Sequence, residues 1–226
     1  GGTITYTVTL DTAVPVGDSV TTTFKDVNGV TQTVTIAAEA KTNTVEVTVA
    51  DTDDVFTELD QVTDLATAFT VTDAGTFEQI TAVDSAGNLT VSDTTDNTNA
   101  TLTVDTNTLT EDGGTITYTV TLDTAVPVGG DSVTTTFVDV NGDEQEVTIA
   151  AEATTSTVVV TVADSDDVFT EGDQVTDLAT EFTVTVPGTF EQITPVNSAG
   201  ELTVTDTTDN TNATLTVDKN TLIEDG

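Results

Sequence analysis

Two stretches of this chain crowd carboxylates onto a short segment. One is Asp164-Ser165-Asp166-Asp167-Val168-Phe169-Thr170-Glu171-Gly172-Asp173, and the other is Asp51-Thr52-Asp53-Asp54-Val55-Phe56-Thr57-Glu58-Leu59-Asp60. Carboxylates packed this densely repel one another, and a bound hard cation relieves that repulsion. Calcium is the natural candidate, because it takes roughly six to eight oxygen ligands and tolerates irregular geometry. Further acids flank the second stretch: Glu111 and Asp112 lie in an earlier turn, and Asp206 and Asp209 follow a later strand. The alternative is a solvated acidic surface suited to high salt.

The spacing excludes other calcium motifs. Asp164-x-Asp166 begins like an EF-hand loop, but Val168 and Phe169 occupy places that need a ligand and a glycine. Val175 stands where the bidentate glutamate belongs. The nonapeptide calcium repeat is absent. The chain has no His and no Cys, which removes Ser–His and Cys–His catalysis and thiolate zinc sites. Among 40 acids a glycosidase-like pair could be drawn anywhere, so it carries no information. The expectation is a protein that is not an enzyme and has no small-molecule substrate.

The elements that must position these acids occur twice. GGTITYTVTLDTAVPVG opens at Gly1 and again at Gly113. Phe24 recurs as Phe137 and Asp51 as Asp164; the second copy carries one extra glycine, at Gly129-Gly130. A period of this length matches a whole domain and is too long for a solenoid unit. In the second copy, alternating Thr and apolar residues predict strands over 101–104, 115–122, 132–140, 146–150, 157–162, 178–186 and 202–204. Asn141-Gly142 signals a type I′ hairpin, and 189–200 reads as an irregular excursion. About seven strands and no helical period predict an all-β chain of tandem immunoglobulin-like β-sandwiches. A small closed barrel is the alternative. In a sandwich, the acidic loop, the first turn and the end of the last strand share one pole. Three carboxylate groups would meet there, facing the next domain.

Composition agrees with a structural role. Apolar residues are 36% and aromatic residues 4%, so the core is aliphatic. The formal charge of −37 excludes nucleic acid and anionic membranes as partners, since both demand cationic surfaces. No apolar run is long enough to insert into a bilayer. Without Cys, extracellular stability comes without disulfides.

Glu-Asp-Gly-Gly before TITYTVTL, then VTVADSDDVFTEGD, then LTVTDTTDN, resembles the Calx-β family. The whole repeat is also similar to the extender repeats of giant bacterial RTX adhesins of the large-adhesion-protein type, exported by type I secretion. The resemblance implies calcium ligands at Glu111, Asp166, the Val168 carbonyl, Asp173 and Asp206. Asp164, Asp167 and Asp209 join them by position alone. Thr170 and Gly172 stand where the family often has acids, which implies fewer ions or weaker binding. The equivalents in the first copy are Asp51, Asp53, Asp54, Asp60, Asp93 and Asp96, and Glu224 repeats Glu111. The resemblance further implies an extracellular location on a bacterial surface. There, a calcium-rigidified array would project a terminal binding domain in adhesion and biofilm formation. A repeat that itself binds glycans or neighbouring arrays is the alternative, weakened by the scarcity of aromatic platforms: Tyr6 and Tyr118 both lie in strands.

The expected domains are 1–99, a repeat without its first strand; 100–212, a complete repeat; and 213–226, the first strand of a third repeat or the last of the second. Residues 93–99 read as a linker. The expected partners are neighbouring repeats of the same chain, and the segment 213–226 is expected to support head-to-tail self-association.

Overall fold

The computed structural model describes residues 1–218, 220, 221, 223 and 224. The described residues form strands and no helix, so none of them forms a helix able to cross a membrane. The chain divides into two compact units, 1–96 and 97–226. The division falls three residues before the expected boundary at Ala100. Three of the seven residues read as a linker, 97–99, belong to a strand, because Asn97 already pairs.

The first unit contains β1 (Gly2–Thr9), β2 (Ser19–Lys25), β3 (Thr31–Ala37), β4 (Thr42–Val49), β5 (Gln61–Asp64), β6 (Thr67–Asp73) and β7 (Asn88–Val91). They form the sheets β1-β4, β3-β2-β6 and β5-β7. The second unit contains β8 (Asn97–Val104), β9 (Thr108–Thr110), β10 (Gly114–Leu122), β11 (Val133–Asp139), β12 (Glu144–Ile149), β13 (Thr155–Val162), β14 (Gln174–Asp177), β15 (Ala179–Val186), β16 (Gln192–Asn197) and β17 (Glu201–Thr205). Its sheets are β13-β10-β8-β16, β12-β11-β15 and β14-β17-β9.

Alternation in sequence becomes alternation in burial. Along β10, Ile116, Tyr118, Val120 and Leu122 point inward, while the intervening threonines stay at least partly solvated. Outward threonines pair across strands through their hydroxyls, as in Thr136–Thr183 at 3.1 Å. This puts the abundant Thr to use on the open face of a pleated sheet. The Tyr118 ring lies 4.8 Å from the Phe137 ring, so the β10 and β11 sheets face each other across an aromatic contact. The same pair recurs in the first unit as Tyr6 and Phe24 at 4.9 Å. The Tyr118 hydroxyl donates to the Leu178 carbonyl at 2.6 Å and accepts from the Val140 N–H. Two facing sheets with an aliphatic centre are consistent with a β-sandwich.

Three local expectations are corrected. The excursion 189–200 contains β16, which pairs parallel to β8. An additional exposed strand, β14, follows the acidic loop. The Asn141-Gly142 turn is not type I′: Gly142 is left-handed (φ 83°), but Asn141 is not. A type I′ turn needs positive φ at both central residues. Instead, the buried Asp139 carboxylate accepts from the N–H groups of Asn141 and Asp143 and from Gln145 Nε2. That side chain, rather than an intrinsic preference of Asn-Gly, shapes the hairpin.

Candidate metal centre

The second unit gathers acids at the end of a parallel strand pair. β17 runs parallel to β9, with Thr205 opposite Thr110. Adjacent strands are about 4.8 Å apart, so the next residues, Asp206 and Glu111, emerge side by side. The Glu111 backbone is fixed on both sides: its N–H donates to the Thr205 carbonyl at 3.1 Å, and its carbonyl accepts from Ser165 N–H at 2.8 Å. The second bond ties the turn to the acidic loop 164–173. Gly113 makes that approach feasible, since a Cβ there would lie 2.6 Å from the Val162 carbonyl oxygen, and its φ is +77°. Thr207 Oγ1 donates to Asp166 Oδ1 and holds the loop to the end of β17 from the other side.

This framing brings Glu111, Glu171 and Asp206 together, with one carboxylate oxygen of each within 4.8 Å of the others. Glu111 is 6% exposed. Glu111 Oε2, Glu171 Oε2 and Asp206 Oδ1 are shut off from solvent without a hydrogen-bond partner. From Asn97 to Asp218 the chain carries no Lys or Arg. Burial pushes the Glu111 carboxyl above the usual glutamate range, and the charges of Asp206 and Glu171 add to the effect. Glu171 moves the same way, through burial and then the charges of Asp167, Asp206 and Asp166. Asp209 is also raised, by loss of solvent and then by the Asp166 charge. A buried acid without a partner is costly. It must either keep its proton or meet a cation, and three oxygens on one point fit a hard cation such as calcium.

Of the residues expected from sequence, Glu111 and Asp206 stand in this cluster, with Asp166 and Asp209 close enough to bear on it electrostatically. Asp164 and Asp167 instead accept backbone N–H groups of their own loop, from Asp166 at 2.9 Å and Phe169 at 2.7 Å. Val168 and Asp173 are exposed and outside the converging trio. Glu224 is exposed and outside any strand. Sequence reasoning missed Glu171. Its signal was present: Glu58 occupies the same place in the first copy of the acidic loop.

The first unit carries a sparser version. Glu58 N–H donates to Asp93 Oδ2 at 3.1 Å, and Thr94 Oγ1 donates to Asp53 Oδ2 at 2.5 Å, repeating the Thr207–Asp166 contact. Loss of solvent, a hydrogen bond with Asp93 and the Asp54 charge push the Glu58 carboxyl up to about 7. Burial and the Asp53 charge raise Asp96. Asp51 accepts from Asp53 N–H and Asp54 from Phe56 N–H, while Asp60 is exposed just before β5.

No protein-family model matches the chain, and no curated protein matches it.

Proposed function

We propose that each unit is an immunoglobulin-like domain of the Calx-β kind, and that Glu111, Glu171 and Asp206 hold a calcium ion. The tandem units then serve as extender modules of a long bacterial surface adhesin, outside the cell. The bound ions stiffen the array that carries a terminal binding domain. The observation that carries this reading is the buried Glu111 carboxylate, with an unpartnered oxygen aimed at two further acids. Burial of Tyr6 and Tyr118 in the cores supports a structural role over glycan stacking, which needs exposed rings.

Isothermal titration calorimetry of the full chain with calcium tests the reading. Saturable binding that Glu111→Gln weakens is expected. Absence of any heat in low salt, with a melting curve indifferent to chelator, would return the acids to the role of a solvated surface.

A further inference from the structure

Each unit carries an Asn-Gly pair at the tip of a hairpin: Asn28-Gly29 between β2 and β3, and Asn141-Gly142 between β11 and β12. All four residues are exposed. The two tips share one geometry. Gly29 and Gly142 are left-handed, while Asn28 and Asn141 are not. The Gly29 N–H donates to the Asp26 carbonyl at 2.8 Å, and the Gly142 N–H donates to the Asp139 carbonyl at 3.0 Å. The buried Asp26 accepts from the N–H groups of Asn28 and Val30, as Asp139 does from Asn141 and Asp143.

The asparagine side chains reach out of their own sheet. Asn28 Nδ2 donates to the Thr48 carbonyl on β4 at 3.0 Å, and Asn141 Nδ2 donates to the Thr161 carbonyl on β13 at 3.0 Å. β4 and β13 belong to different sheets from the hairpins β2–β3 and β11–β12. Each carboxamide is therefore a clasp between two sheets, placed where solvent reaches it. An exposed Asn-Gly pair also has a reaction open to it that needs only water. Glycine has no Cβ to obstruct the approach of its backbone nitrogen to the asparagine Cγ.

We propose that Asn28 and Asn141 are sites of spontaneous deamidation, held in check by the closed hairpin, whose conversion opens the clasp irreversibly. The glycine nitrogen bonds to the asparagine Cγ, and the side-chain nitrogen leaves as ammonia, carrying off the glycine N–H proton. Water then opens the cyclic imide. Attack at Cγ gives aspartate; attack at the main-chain carbonyl gives isoaspartate. In the closed hairpin both reactants are engaged, the glycine N–H with an Asp carbonyl and the carboxamide with a Thr carbonyl. The reaction therefore proceeds through local opening of the tip. Its product cannot close again. A carboxylate only accepts hydrogen bonds, so it has nothing to donate to the Thr161 carbonyl. An isoaspartyl link also lengthens the backbone between the two N–H groups that Asp139 accepts. The second unit suffers more, because Asp143 and Glu144 stand where the first has Val30 and Thr31. This inference does not depend on the calcium reading.

Incubating the full chain beside a free peptide of residues 137–146, in warm and mildly alkaline buffer, tests this. Peptide mapping by mass spectrometry reads the exchange of amide for acid at each asparagine, and chromatography separates isoaspartate from aspartate. The folded chain is expected to convert at both sites, more than about tenfold slower than the peptide, because the tip must first open. Mild denaturant should speed the conversion. Asn141→Asp, standing for the product, is expected to lose amide-exchange protection at Gly142 and Asp143 and to melt lower than Asn28→Asp. Should that variant fail to fold, the same exchange measurement on the converted fraction of the aged chain replaces it. Conversion as fast in the folded chain as in the peptide would overturn the inference. So would a folded chain that never converts, or a converted chain whose hairpin protection and melting match the parent.

Discussion

Glu111 and Asp206 stand one residue beyond Thr110 and Thr205, an opposed pair of a parallel ladder, and their carboxylates meet within 4.8 Å. A strand pair that ends in two acids is a geometric device. The ladder aligns the backbones, so the two side chains leave adjacent strands side by side. The repulsion is therefore built into the fold, and a cation that binds only the folded state adds stability in proportion to the logarithm of its concentration.

Calcium at about a hundred times its dissociation constant should raise the melting temperature of the second unit by roughly 10 °C. Glu111→Gln should remove most of that gain. In chelator the same variant should melt above wild type, because it deletes a buried repulsive charge. Calorimetric scans with and without calcium check both signs. Loss of stability in both conditions would assign Glu111 a purely structural role.

Glu171 and Asp164 lie on the same loop, but only Glu171 joins the cluster. Glu171→Gln should weaken calcium binding by about tenfold or more, since affinity follows ligand charge. Asp164→Asn should change it little. Titration calorimetry on the two variants decides between them, and equal effects would mean that loop charge rather than geometry attracts the ion.

In chelator, stability should depend on pH through Glu58. Its folded carboxyl titrates near 7, against a usual value of 4.5. Between those values the folded state binds more protons than the unfolded chain, so the contribution to stability falls as pH rises from about 4.5 to about 7 and levels off above. Glu58→Gln should flatten this part of the profile. Denaturant titrations across that range measure it, and an unchanged slope would point to other carboxyls.

The buried Tyr118 hydroxyl bridges the Leu178 carbonyl and the Val140 N–H. Tyr118→Phe should cost about 1–3 kcal/mol, since it leaves the Leu178 carbonyl short of a partner in the interior and the partly buried Val140 N–H short of one as well. Tyr6→Phe should cost less, because its bond to the Leu65 carbonyl is only partly buried, whereas that of Tyr118 to Leu178 is buried. Denaturant unfolding of each variant compares the two.

Much of the architecture was legible in the residues. The period-two runs of β10, β11 and β13 locate buried faces because alternation is a local property of each strand. The acidic loop and the flanking Glu111 and Asp206 were visible for the same reason. β14 and β16 were not, because nearly all of their residues are exposed and carry no alternation. β16 also contains Pro195 and owes its form to partners far away, as in the Thr194–Asn97 hydrogen bond across 97 residues.

By itself, the sequence determined the duplication, the all-β character and the crowding of negative charge, because each follows from residue type and near-neighbour spacing. Only the tertiary structure decided which acids converge. Glu171 enters the trio and Asp173 does not, because loop 164–173 is pinned by Ser165 to Glu111 and by Asp166 to Thr207. It also decided that two identical strands have unlike fates. β10 pairs with both β13 and β8, while among the described residues β1 pairs with β4, since strand pairing depends on which chain segment lies alongside and not on the strand's own residues.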